Sequence, residues 1–165
     1  MKIRIYSAAF AALVLLPRIS AAQQANPVAD AFRDNAKTEG KNLTAAAEEF
    51  PADKYSFKPT PAQMSFGDIV VHLSKGNDYL CGAIGGMKAP TRTDVTAAAT
   101  KEVLVARLRE TFAFCDQALA PLTDANLGEA LPFFCGRKMS RAAVMPLTEG
   151  GWADHYHQMA AQLRP

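Results

Sequence analysis

Apolar residues return every three or four positions in four separate stretches of the chain. That spacing places them on one face of an α-helix, whereas a half-buried strand would alternate apolar and polar residues at every second position. No strand-like alternation of useful length occurs in the sequence. The helices predicted from these stripes cover approximately residues 27–50, 65–85, 100–120 and 140–165. Four stripes of this length predict an all-α fold, an up-down-type four-helix bundle.

Capping residues mark several of the predicted helix ends. Asn26 precedes Pro27, which suits an N-cap followed by a proline at the first helical position. Ser65 would cap the second helix, with Asp68 three residues later completing a short-armed capping box. Gly85-Gly86 would end that helix, because glycine adopts a left-handed cap without steric cost. The boundaries are therefore predicted from local chemistry as well as from the stripes.

The three connections are rich in proline and polar residues. Residues 51–64 cannot be helical throughout, because prolines interrupt them, and residues 87–99 form a polar loop. Residues 121–139 are predicted to contain a short helix and an irregular piece.

The fourth helix combines an interior proline with an aromatic stripe. Pro146 is expected to kink the helix or open it locally, since proline lacks the N–H of the helical hydrogen bond. Trp152, Tyr156 and Met159 follow at steps of four and three, which is typical of core packing and not of a cofactor site.

The first 22 residues have the three parts of a secretory signal peptide. Lys2 and Arg4 give a positive start, residues 6–16 are apolar, and the small residues at 20–22 suit cleavage after Ala22. The apolar run of 11 residues is shorter than the roughly 20 that a membrane-spanning helix needs. We therefore expect export to a bacterial periplasm or beyond, no stable membrane anchor, and a single mature domain covering residues 23–165.

Loss of this leader would change the charge of the protein. The formal charge of +2 would fall by three to −1, because the leader carries Lys2, Arg4 and Arg18. No basic run or basic face remains in the rest of the sequence. We therefore expect no nucleic-acid partner.

Three cysteines, Cys81, Cys115 and Cys135, remain after the leader. In an oxidising compartment one pair would bridge and leave one thiol over. None belongs to a C-x-x-C pair, which argues against a structural zinc site or a thioredoxin-type motif. Spacing alone does not indicate which two form the bridge.

Two of the three histidines, His155 and His157, lie two residues apart near the C-terminus. Each helical residue turns the side chain by about 100°, so these two point in roughly opposite directions, with His157 toward solvent. His155 flanks the apolar stripe, and His72 has a similar position on the second helix. Facing helices of a bundle can bring such flanks together in a metal site, and neutral imidazole suits zinc, nickel or iron. The alternative is that each is a half-buried histidine with a hydrogen bond to a neighbour.

Two stretches of the sequence together are similar to one family. "PADKYSFKPTPAQMSFGDIVVHL" places a P-x-x-K-Y-x-F-x-P turn before a histidine of the second helix, and the chain closes on "DHYHQMAAQLR". In this order they resemble the exported members of the DinB-like (DNA-damage-inducible) four-helix bundle family. The resemblance covers essentially all of the predicted mature chain.

The resemblance implies one divalent metal ion, commonly bound by three histidines: one on the second helix and two, four residues apart, on the last. His72 and His155 match two of these positions, but the third is Gly151, which has no side chain to bind a metal. Two protein ligands hold a metal more weakly than the three of ordinary catalytic zinc sites. Asp154 lies about 100° round the helix and would substitute only if residues 149–151 unwind, and Glu149 is a more distant possibility.

The resemblance also implies a disulfide between Cys81 and Cys115, which leaves Cys135 as the odd thiol. The alternative is that Cys81 and Cys115 are buried free thiols.

Some relatives are transferases that use the metal to activate a small thiol, and others have no established activity. Two hypotheses follow. The protein is a metal-dependent transferase or hydrolase, or it is a non-catalytic periplasmic binding or interaction module. A homodimer, as in many relatives, and a small-molecule ligand of unspecified identity are compatible with both.

Overall fold

Four long helices form most of the chain in the computed structural model, which describes residues 25–164. They are α1 (Pro27–Glu49), α2 (Phe66–Gly85), α3 (Lys101–Leu119) and α4 (Arg141–Leu163), each within a few residues of its predicted range. The predicted signal peptide lies outside the described residues, so its cleavage and export stay predictions. None of the helices described combines the length and the apolar character that a membrane crossing requires.

The predicted caps of α2 are confirmed at both ends. The Ser65 hydroxyl accepts from the Asp68 backbone N–H at 3.1 Å, and the Asp68 carboxylate accepts from the Ser65 N–H at 3.0 Å. Such a cap stabilises a helix by about 1 kcal/mol. Gly86 ends the helix in the left-handed conformation, with φ 69°. Gly85 is needed for a different reason: a Cβ there would lie 1.9 Å from the Ala118 carbonyl oxygen of α3.

The start of α1 is capped from another part of the chain. Asn26 occupies the N-cap position, as predicted, but the carboxylate that caps the helix belongs to Asp124. Asp124 accepts from the backbone N–H groups of Val28 and Ala29 at 3.2 and 2.8 Å, and its own N–H donates to Asn26 Oδ1 at 2.9 Å. An acidic group is favourable at a helix N-terminus. The predicted N-cap position of Asn26 is therefore confirmed, and Asp124 supplies the side chain that bonds the first free N–H groups of the helix.

The helices pack with α1 and α2 on opposite sides of the bundle. Both pack against α3 and against α4, which makes α1 and α2 diagonal partners. In an up-down bundle with short loops, helices that follow one another in the sequence are also neighbours in space. α1 and α2 do not show this adjacency. The connection between them is anchored by Phe50, Tyr55 and Phe66. The rings of Phe50 and Phe66 stack with centroids 3.7 Å apart, and the Tyr55 hydroxyl donates to the Ala47 carbonyl at 2.5 Å.

The connection from α3 to α4 contains a short β-hairpin that the sequence did not predict. The expected short helix is the 3-10 turn Asp124–Asn126, but the expected irregular piece is an antiparallel pair, β1 (Ala130–Phe133) and β2 (Arg137–Ser140). Residues 130–133 are apolar throughout and residues 137–140 contain a single apolar residue, so neither strand has the alternation by which a strand is predicted. Cys135, free and exposed, lies in the turn with φ 59°.

The core fills the space between the four helices, with the predicted seam of α4 largely inside it. Trp152 and Met159 are buried, and Tyr156 is half-buried. The helix continues through Pro146 without the predicted local opening, because this proline lies on the exposed face, where water can bond the carbonyl group it leaves unpaired.

A disulfide joins α2 to α3. Cys81 and Cys115 are bonded across a sequence separation of 34, with their Cα atoms 5.1 Å apart. Closing a loop of this length stabilises the fold by about 3–4 kcal/mol through the entropy of the unfolded chain.

Candidate metal site between α2 and α4

His72 of α2 and His155 of α4 are in contact. Their ring centroids lie 4.9 Å apart, and the rings meet edge to face with an angle of 72° between their planes. His72 is exposed and His155 is half-buried, so the pair lies at the mouth of the groove between the two helices. Two imidazoles this close can share one ion, since each Zn–N bond is about 2.0–2.1 Å long. The structure therefore brings together the two residues that the sequence singled out.

His155 is held by a neighbour on its own helix. Its Nδ1 lies 3.3 Å from Gln158 Oε1, and Gln158 Nε2 donates to Asp154 Oδ2 at 2.8 Å. Burial lowers the pKa of His155 and outweighs the hydrogen bond to Gln158, which raises it; the proximity of His72 lowers this pKa further. Burial therefore favours the neutral imidazole, which is the form that binds a metal.

The position of the missing third ligand is open space. A Cβ added to Gly151 would meet no heavy atom of the described chain within 4 Å, apart from its two neighbours in sequence and the adjoining backbone of α4. Beside it lies a cavity of about 60 Å³. Its lining residues come from α2 and α4 and include both histidines: His72, Leu73, Gly76, Asn77, Leu80, Thr148, Gly151, Trp152 and His155.

The alternative ligands considered from the sequence do not enter this cavity. α4 is helical through Gly150 and Gly151, so the unwinding that would bring Asp154 round does not occur, and Glu149 does not line the cavity. Asp154 instead bonds Gln158. Within the described part of the chain, no group of three or more histidine, cysteine, aspartate or glutamate side chains is arranged to hold a metal ion. Of these four residue types, the cavity lining contains the two histidines alone.

The relationship to known proteins agrees with this architecture. The sequence pattern of the DinB superfamily matches residues 36–159, which is most of the chain. The protein belongs to the DinB superfamily. No curated protein matches it.

Solved structures of DinB-like proteins share the fold at low sequence identity. A DinB-like protein from Bacillus subtilis is 20% identical with a TM-score of 0.64, and one from Bacillus cereus ATCC 10987 is 16% identical with a TM-score of 0.65. Each comparison covers 80% of this chain and 88% of the other. A conserved protein from Enterococcus faecalis is 13% identical with a TM-score of 0.66, over 83% of this chain and 95% of that one. These similarities establish the DinB-like fold.

The floor of the cavity between α2 and α4 is a buried polar network that sequence reasoning missed. Asn77 is 1% exposed; its Oδ1 accepts from Trp152 Nε1 at 2.8 Å, and its Nδ2 donates to Thr111 Oγ1 at 3.2 Å. The bonds join α2, α3 and α4 directly beneath the cavity. The sequence offered one indication of this network: Asn77 lies one turn after Leu73, within the apolar stripe of the second helix.

His157 lies outside the histidine pair of this DinB-like protein. It is exposed, as the helical geometry predicted, and it lines a separate groove of about 1130 Å³ between residues 50–64 and the last turns of α4. Gln158 lines the same groove and also bonds His155. The sequence predicted only a connection there, because a groove formed by a loop against a distant helix leaves no periodic signal.

Proposed function

We propose that this DinB superfamily member is an exported protein that binds one divalent transition-metal ion weakly through His72 and His155. The observation that carries the proposal is the contact between the two rings, 4.9 Å from centroid to centroid, on different helices. The lowered pKa of His155 supports it, because burial keeps this imidazole neutral.

The donor set fits an ion that is held weakly. Imidazole nitrogen suits zinc, nickel and iron, but catalytic zinc sites ordinarily have three protein ligands, and Gly151 contributes none. A bound divalent ion with open coordination positions would act as a Lewis acid and lower the pKa of a bound water or thiol. This chemistry is that of a metal-dependent transferase or hydrolase. In it, His72 and His155 would hold the ion and Gln158 would orient His155.

Metal analysis of the purified mature protein tests the proposal. We expect one equivalent or less of zinc, nickel or iron, lost in both His72→Ala and His155→Ala. His157→Ala is the matched control, since this histidine is exposed and lies two residues from His155 without joining the pair; it should retain the metal. A protein that contains no metal, and whose melting temperature does not change on adding zinc, would contradict the proposal.

The second candidate is a non-catalytic periplasmic binding module. Two observations favour it: the bare position at Gly151, and the separate groove of about 1130 Å³ beside α4. A metal-free protein would support this alternative.

Export is tested separately from metal binding. N-terminal sequencing of the protein recovered from a bacterial periplasm should begin at Gln23. Recovery of the intact N-terminus in the cytoplasm would rule out the predicted leader cleavage.

A further inference from the structure

A short series of side chains on α4 holds His155 from one side. Asp154 and Gln158 are four residues apart and His155 and Gln158 are three apart, so Gln158 lies within reach of both side chains. Gln158 Nε2 donates to Asp154 Oδ2 at 2.8 Å, and His155 Nδ1 lies 3.3 Å from Gln158 Oε1. His155 and Gln158 are both half-buried, which limits the access of water that could replace these bonds.

The direction of these bonds determines which ring nitrogen of His155 carries hydrogen. An ionised carboxylate only accepts, so the amide nitrogen of Gln158 faces Asp154 and the amide oxygen faces His155. That oxygen also only accepts, and Nδ1 must therefore be the donor. In a neutral imidazole one nitrogen donates and the other accepts. The lone pair of His155 is consequently on Nε2.

We infer that Gln158, oriented by Asp154, is a positioning residue that fixes the Nδ1-protonated tautomer of His155 and so makes Nε2 its ligating nitrogen. Histidines that bind metals usually donate their other ring N–H to an oxygen, and loss of this partner typically lowers metal affinity 10- to 100-fold. The effect on affinity rests on the proposed function. The tautomer is a property of the metal-free protein and can be measured whether or not metal binds.

The tautomer is read by long-range ¹H–¹⁵N NMR of the histidine rings in the metal-free, full-length mature protein. The spectra are recorded above the usual pKa range of histidine, and His155 is assigned with the His155→Ala variant. We expect Nδ1–H in the wild type, a shift toward Nε2–H in Gln158→Leu, and retention of Nδ1–H in Gln158→Glu, whose carboxylate still accepts. Gln117→Leu, an exposed glutamine on α3, is the control and should leave the spectrum unchanged. An Nε2–H tautomer in the wild type, or an unchanged tautomer in Gln158→Leu, overturns the inference.

Zinc titration of the same variants measures the consequence for binding. Zinc should bind Gln158→Leu roughly tenfold more weakly than the wild type, with affinity recovered in Gln158→Glu and unchanged in Gln117→Leu. Equal affinities of Gln158→Leu and the wild type overturn the positioning role. If no variant binds zinc, the proposed metal function fails, and the NMR result still decides the tautomer.

Discussion

Replacing Gly151 with histidine is predicted to complete a three-histidine metal site. Gly151 lies one turn before His155, and helical residues four apart share a face. Apart from its sequence neighbours and the adjoining backbone of α4, an added Cβ meets no heavy atom of the described chain within 4 Å, and the adjoining cavity measures about 60 Å³. The new side chain would therefore enter open space without displacing the core.

Without metal, the expected gain in stability is small. A glycine inside a helix costs about 1 kcal/mol relative to alanine, and histidine falls between the two. Gly151→Ala should therefore raise the free energy of unfolding by about 1 kcal/mol, and Gly151→His by about half as much. For a chain of this size each kcal/mol corresponds to roughly 3–4 °C in melting temperature.

With zinc, the two variants should separate. A ligand present at 100 times its Kd stabilises the folded state by about 2.7 kcal/mol, which corresponds to roughly 8–11 °C. Gly151→His should show this shift at a lower zinc concentration than the wild type, because a third imidazole lowers the Kd. Thermal unfolding followed by circular dichroism over a series of zinc concentrations measures it, with Gly151→Ala as the matched control.

Two results would refute this reasoning. If zinc raises the melting temperature of Gly151→His no more than that of Gly151→Ala, position 151 does not converge on the ion with His72 and His155. If Gly151→Ala lowers stability in the absence of zinc, the space beside the glycine is not open.

Two further predictions concern the scaffold. Gly85→Ala should lower the free energy of unfolding by roughly 1–3 kcal/mol, because its Cβ would lie 1.9 Å from the Ala118 carbonyl oxygen. Gly76→Ala is the control, since a Cβ at this position of the same helix would enter open space, and it should not lower the stability. Equal midpoints of urea unfolding for the two variants would disprove the close contact. Removing the disulfide between α2 and α3 by a double alanine substitution should cost at least about 3–4 kcal/mol in urea unfolding. Cys135→Ala, which changes an exposed thiol, should leave the midpoint unchanged; a comparable loss there would show that our assignment of roles to the cysteines is wrong.

The features predicted correctly from the sequence are those coded by neighbouring residues. Ser65 and Asp68 lie three residues apart and cap α2 as a capping box, and the step of four from Gly151 to His155 places both on one face of α4. The features missed depend on contacts between distant segments. Asp124 caps α1 from about a hundred residues away, and no local pattern distinguishes it from other acidic residues of a loop. The role proposed for Gln158 likewise depends on its amide oxygen facing His155. That orientation follows from the hydrogen bond between Gln158 Nε2 and Asp154, which the sequence does not show.

The histidine pair keeps its geometry without a third ligand, because other contacts fix α2 against α4. Trp152 Nε1 donates to Asn77 Oδ1 across that interface at 2.8 Å, and Asn77 also bonds Thr111 of α3. A buried polar group that loses its partner costs about 1–3 kcal/mol, so this network resists sliding of the two helices, and the disulfide holds α2 on α3. A third metal ligand would add affinity for an ion but is not needed to hold the bundle together. Loss of metal in His72→Ala or His155→Ala can therefore be assigned to a lost ligand and not to unfolding. The control is the melting temperature of each metal-free variant, which should match that of the metal-free wild type.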